Sequence, residues 1–301
     1  MKNTKPKVRL WSVLTGLTAI LTVAAIVGNI IANQYATTLN VALNASTYKI
    51  IKGETTGDTE YFKKGFASDE EREAYEAELC ATVEAEGAAL LKNENNALPL
   101  ASGAKVSLFG HGSVDLMYGG TGSGSVDTSK APNLKDALEA QGITINQTLW
   151  DLYKSDSMMS KYSRMTPASI SDTLEANTQY AVNEAPWSAL SSAENSFAEY
   201  GDAAIVVLSR SGGEGADLPS GANGTNDSWI SGQEGDGNYL ALSAEEIELL
   251  QNLKALKDNG TFKNIIVLIN SSNAIELDFL NPAICGEDYG IDAAMWIGDV
   301  G

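Results

Sequence analysis

The sequence predicts an α/β fold: a doubly wound, mostly parallel sheet preceded by an N-terminal transmembrane helix. Three observations carry this. Aliphatic runs alternate with helical segments through the second half of the chain, the order expected of strands joined by crossover helices. One of these runs, Ala203–Leu208, is unbroken, as in a parallel strand buried on both faces. Finally, no charged residue occurs between Arg9 and Lys49, and Leu10–Ala32 is long and apolar enough to cross a bilayer.

The apolar segment comes first in the chain. Crossing a bilayer takes roughly 20 residues, which Leu10–Ala32 supplies. Lys2, Lys5, Lys7 and Arg9 precede it, so residues 1–9 form a basic cytoplasmic segment and the positive-inside bias sends the main domain outside the cell. A cleaved signal peptide is the rival reading, but its apolar core is usually shorter, about 7–15 residues, and no clear small-x-small cleavage site follows. The reading is therefore a single-pass signal anchor over residues 10–32. Residues 33–67 are polar, without a sustained period, and read as a stalk leading into the folded part.

Folding proper starts near Ser68. Ser68-Asp69-Glu70-Glu71 combines a capping hydroxyl with acids that suit the positive end of a helix dipole, which predicts a helix running to about Gly87. Strands are predicted at Val106–Phe109, Ala203–Leu208, Asn264–Ile269 and Asp292–Ile297, with a weaker one at Ile143–Asn146. Connecting helices are predicted over Asn133–Gln141 and Ser243–Asn259, the second opening on a capping box, Ser243 to Glu246.

The whole chain carries a formal charge of −19. Residues 1–32 hold four of the 20 basic residues and no acid, so the exported part has 16 basic residues against 39 acids, or −23. Such a surface repels nucleic acid and anionic lipid headgroups, and neither is expected as a partner. Cys80 and Cys285 are the only cysteines and allow one disulfide without requiring it. The single His111 builds no histidine-based metal site, and neither metal nor cofactor is expected.

Two glycine-rich loops follow predicted strands. In Ser209–Pro219, S-R-S-G-G-E-G-A-D-L-P, a carboxylate, Glu214, stands at a strand's carboxyl end between glycines that let a ligand approach. The same loop also reads as an ordinary strand-to-helix turn. The second loop, Gly119–Ser125, lies too far from its strand and too far from a helix start to be a dinucleotide fingerprint. Gly221–Asn238, with Trp229 at its centre, reads as a surface excursion in which the indole stacks on a sugar ring or packs against the domain.

Several segments together resemble one family. Glu86–Glu94 and Ala97–Leu100, followed by the Lys105–Gly110 strand, look like the opening of the α/β-sandwich domain of glycoside hydrolase family 3. Gly119–Val126 resembles its glycine/serine loop and Gly213-Glu214-Gly215-Ala216-Asp217 its G-E-G-x-D loop. Leu240–Leu250 is similar to its L-x-L-x-x-x-E helix start, and Ile265–Leu277 to its strand and following turn. The resemblance implies a retaining β-glycosidase acting on terminal β-linked glucosyl or related residues. It assigns Glu214 as the catalytic acid/base, which would sit about 5–5.5 Å from a nucleophilic carboxylate in the retaining route. Arg210 and Asp217, which flank Glu214, are expected to bind sugar hydroxyls, to orient Glu214 or to salt-bridge within the loop; Gly120 and Ser123 are further expected substrate-binding residues, and Glu234 is a nearby rival for the acid/base role.

In the family the nucleophile is an aspartate on a TIM barrel, which takes roughly 250 residues. Only an anchor and a stalk precede residues 68–301, so the sandwich is expected to come first, incomplete at Gly301, with the barrel downstream. Alone, this portion is expected to be inactive for lack of the nucleophile. The alternative is a noncatalytic glycan-binding or structural surface module, which would bind sugar without turnover.

Overall fold

The computed structural model describes residues 5–43, 45, 64–165, 180–214, 218 and 238–301. The chain divides into two units, Met1–Gly65 and Phe66–Gly301.

The first unit consists of helix α1 (Lys5–Gln34) and helix α2 (Ala36–Ala42). Within α1, Val8–Gln34 is long and apolar enough to cross a membrane, a few residues longer than the span read from the sequence. Three of its four hydroxyls bond within the helix. Ser12, Thr18 and Thr22 each donate to the carbonyl one turn back, at 3.0, 2.9 and 2.9 Å, so their polar hydrogens are satisfied inside the helix. The predicted stalk begins as helix at Ala36–Ala42, and most of its remainder lies outside the described residues.

The second unit opens on α3 (Asp69–Gly87), where the Ser68 hydroxyl accepts from Glu71 N–H, as its sequence implies. A six-stranded sheet follows: β1 (Ala89–Asn93), β2 (Lys105–Phe109), β3 (Thr144–Ile145), β4 (Ala203–Arg210), β5 (Ile265–Ser271) and β6 (Ala293–Trp296), in the spatial order β1-β6-β5-β4-β2-β3. All five strands predicted from sequence are present. The edge strand β1 is an addition, and its antiparallel pairing with β6 makes the sheet mixed. Its Ala-Leu-Leu-Lys-Asn stretch lacks the β-branched run of the others; pairing with Ala293–Trp296, not local preference, draws it into the sheet.

The five parallel strands run through the sheet as β3-β2-β4-β5-β6. Chain order therefore reverses between β2 and β4, and such a switch point opens a crevice at the strands' carboxyl ends. All eight residues of β4 are buried, so both faces of the sheet are covered there.

Helices α4 (Leu134–Ala140), α5 (Gln147–Lys154), α6 (Asp156–Tyr162), α7 (Ala244–Asp258) and α8 (Pro282–Cys285) and a 3₁₀ stretch at Trp187–Tyr200 make the connections. Asn133 caps α4, Asn146 caps α5, and Ser243 with Glu246 forms a complete capping box on α7. Phe109 sits at the centre of the aromatic core. Its ring lies edge-on to Phe197 and Phe262 at 5.2 and 5.7 Å, contacts worth about 0.5–1.5 kcal/mol each beyond burial. Cys80 is exposed, Cys285 half-buried, and both thiols are free.

Candidate active site

The switch point brings together the two glycine loops singled out in the sequence. The loop after β2 reaches across to the loop after β4: Thr121 N–H donates to Gly212 O at 3.2 Å, and Thr121 pairs with Gly213 as a short parallel bridge. The Thr121 hydroxyl donates to Glu214 O at 3.0 Å. Ser123 then engages the carboxylate itself, its N–H donating to Glu214 Oε2 at 2.9 Å and its hydroxyl at 2.5 Å.

Glycine is required for this approach. A Cβ on Gly120 would stand 2.9 Å from Gly212 O. Gly122 has φ +67°, and a Cβ there would lie 2.8 Å from Glu214 Cβ.

Glu214 itself is exposed. The Ser123 hydroxyl, and after it the Ser123 N–H, hold its carboxyl below the ordinary glutamate value by favouring the ionised form. In this arrangement Glu214 is a carboxylate that accepts hydrogen bonds.

Arg210 corrects an expectation. The sequence offered it as a substrate contact, whereas the structure buries it completely as the last residue of β4. Nη1 and Nη2 donate to the two oxygens of Glu246 at 2.8 and 2.7 Å, and the remaining donors go to Ser209 O, Tyr239 O and Ala241 O. With the guanidinium spent on internal acceptors, none of its donors is left for a sugar hydroxyl. Glu246 thereby serves twice, as a capping residue of α7 and as the anchor of β4's end. Asp217 and the rival Glu234 lie outside the described residues, as does residue 229 with most of the Gly221–Asn238 excursion.

A second polar cluster lies at the root of the loop after β2, and the sequence reading did not anticipate it. Glu184 is buried and accepts from His111 N–H at 2.7 Å and Ala185 N–H at 2.9 Å. Burial pushes its carboxyl up to about 7, against the downward pull of those two hydrogen bonds. Nearby, Asp115 meets Arg164 at 2.9 Å and His111 Nε2 at 3.3 Å. Burial works against its ionisation, but the His111 hydrogen bond and the Arg164 charge together hold it below the ordinary aspartate value. Asp115 and Arg164, with Gly119 and Gly120, line a cleft of about 300 Å³. The only sequence hint was position: His111 and Asp115 follow directly on the first long strand. Among the described residues, no group of three or more His, Cys, Asp or Glu side chains is arranged to hold a metal ion.

A mostly parallel α/β sheet with a carboxylate, Glu214, on a glycine loop at its switch point belongs to the class of doubly wound domains. Sequence comparison makes this specific: the profile of the glycosyl hydrolase family 3 C-terminal domain matches residues 88–298, and the chain belongs to that family. It is 35% identical over 146 residues to Beta-glucosidase A of Butyrivibrio fibrisolvens, a match covering 46% of this chain and 15% of that protein. A β-glucosidase from Paenibacillus barengoltzii superposes with a TM-score of 0.53 at 26% identity, over 74% of this chain and 21% of that one. β-Glucosidase 3B from Thermotoga neapolitana, solved in complex with glucose, shares the fold with a TM-score of 0.52 at 22% identity, over 76% and 28%. The chain thus spans 15% to 28% of the lengths of these relatives.

Proposed function

We propose that this chain is the acid/base-loop portion of a membrane-anchored retaining β-glycosidase that hydrolyses terminal β-linked glucosyl or related residues, with Glu214 as the acid/base. The observation that carries the reading is the position of Glu214, in a family 3 C-terminal domain, on the loop beyond β4 at the switch point. Glu214 would protonate the leaving oxygen and then deprotonate the attacking water. Gly120, Ser123 and Asp217 would border the sugar. The nucleophilic carboxylate would come from a barrel expected beyond Gly301. Helix α1 supports a single-pass anchor, with the basic segment in the cytoplasm and the main domain outside the cell.

One observation favours the second reading, a noncatalytic glycan-binding module. A proton donor needs a pKa near the working pH, and Ser123 moves Glu214 the other way. Catalysis therefore requires an opposing upward shift, such as desolvation of the carboxyl under bound substrate.

The test uses the full reading frame beside this 301-residue portion. The long form is expected to hydrolyse an aryl β-glucoside and the short one is not. Glu214→Gln in the long form should cost about 10²–10⁴-fold on substrates with poor leaving groups while sparing the first step on activated aryl glucosides. Equal losses on both would remove Glu214 from the role, and sugar binding without turnover by the long form would establish the module.

A further inference from the structure

Asn270 is a buried polar residue in the aliphatic run of β5, Ile-Ile-Val-Leu-Ile-Asn-Ser. Every valence of its amide is used. Oδ1 accepts from Met117 N–H at 2.5 Å and from the Ser209 hydroxyl at 3.3 Å; Nδ2 donates to Met117 O at 2.9 Å and Gly298 O at 2.7 Å. The reciprocal pair with Met117 copies the pairing between neighbouring strands, although Met117 has already left the sheet. Ser209 is the residue opposite Asn270 in the β4–β5 register.

One side chain therefore joins the roots of the loops after β2, β4 and β6. Two of those roots lead to the same place. From Met117 the chain runs through Tyr118, Gly119 and Gly120 to Thr121 and Ser123, which bind the Glu214 backbone and carboxylate. From Ser209 it runs through Arg210, fixed by Glu246, to Gly212, Gly213 and Glu214 itself. The β2–β4 ladder and the Thr121–Gly213 bridge already align the two loops, and Asn270 adds a side-chain tie between Met117 on one and Ser209 at the base of the other.

We propose that Asn270 is a positioning residue for the Glu214 loop, holding the loops after β2 and β4 in register so that Ser123 and Glu214 meet. Its effect on turnover rests on the proposed acid/base role of Glu214; its effect on geometry does not.

The experiment separates the two. In the 301-residue chain in detergent, the Glu214 carboxyl is titrated by selective ¹³C labelling, with Glu214→Gln identifying its signal, and amide exchange is followed at Met117 and Ser123. In Asn270→Ala, with the fold checked by circular dichroism, Ser123 exchange should speed by at least about tenfold and the Glu214 midpoint should rise. Ser209→Ala, which removes only the β4 side of the clamp, should move both in the same direction by less, and it decides the matter if Asn270→Ala does not fold. An unchanged Glu214 midpoint together with unchanged Ser123 exchange, in a folded variant, overturns the proposal. In the full reading frame, a shifted Glu214 titration with an unchanged pH profile of turnover upholds the clamp and removes the acid/base reading.

Discussion

Two glutamates receive the same kind of hydrogen bond from the same loop and respond in opposite directions. Glu184 accepts from His111 N–H where the loop leaves β2, and Glu214 accepts from Ser123 N–H and hydroxyl further along it. The first carboxyl is pushed up to about 7 and the second is held below its ordinary value. Hydrogen bonding favours the charged form at both sites, so the difference is solvent. Among the described residues the buried Glu184 carboxylate has no salt bridge to offset its desolvation, while Glu214 faces water and has no desolvation of consequence to offset. A third carboxylate completes the comparison. Glu246 is as buried as Glu184, but it holds the Arg210 guanidinium with both oxygens.

The largest test breaks that third case. Arg210→Ala leaves Glu246 buried without its partner, and about 3–5 kcal/mol of stability should be lost. Urea denaturation of the folded unit reads this directly, and a loss under about 1 kcal/mol would show that the pair is solvated in solution.

The next effect belongs to Glu184. Its folded-state value of about 7 lies above the ordinary 4.5, so the group is neutral in both states at low pH. Stability should then fall as pH rises from about 4.5 to about 7, and remain reduced above that, by roughly 3 kcal/mol in all. Glu184→Gln should flatten this part of the pH–stability curve, whatever it does to stability at a single pH, because the amide does not titrate.

Smaller changes act on Glu214. Gly122→Ala forces a Cβ into a left-handed position against Glu214 and should cost about 1–2 kcal/mol, with the Glu214 titration moving up as the carboxylate is displaced. Ser123→Ala should leave stability within about 0.5 kcal/mol while raising the Glu214 midpoint toward the ordinary value. If Ser123→Ala leaves the midpoint where it is, solvent exposure and not the Ser123 contact governs Glu214.

Much of the scaffold was legible because its signals are local. The capping box at Ser243–Glu246 and the Ser68 cap lie within one turn of the chain, and the aliphatic run of β4 announces a strand covered on both sides. The edge strand β1 was not legible, since its residues become a strand only when β6 is beside them. At the site, both glycine loops were visible as compositions, but their contact was not, being made between segments about ninety residues apart, as in Ser123 and Glu214.

The sequence by itself determined the apolar N-terminal helix, the alternation of strands and helices, the acidic surface and the placement of Glu214 after a buried strand, because each depends on neighbours in the chain. Only the tertiary structure decided what the polar side chains do. Arg210 turns inward because Glu246 and three carbonyls wait there, Asn270 is satisfied because three loops converge on it, and Ser123 reaches Glu214 because chain order reverses between β2 and β4. Apolar patterns follow local spacing, whereas a buried polar group takes its role from partners that only the folded chain brings within hydrogen-bond reach.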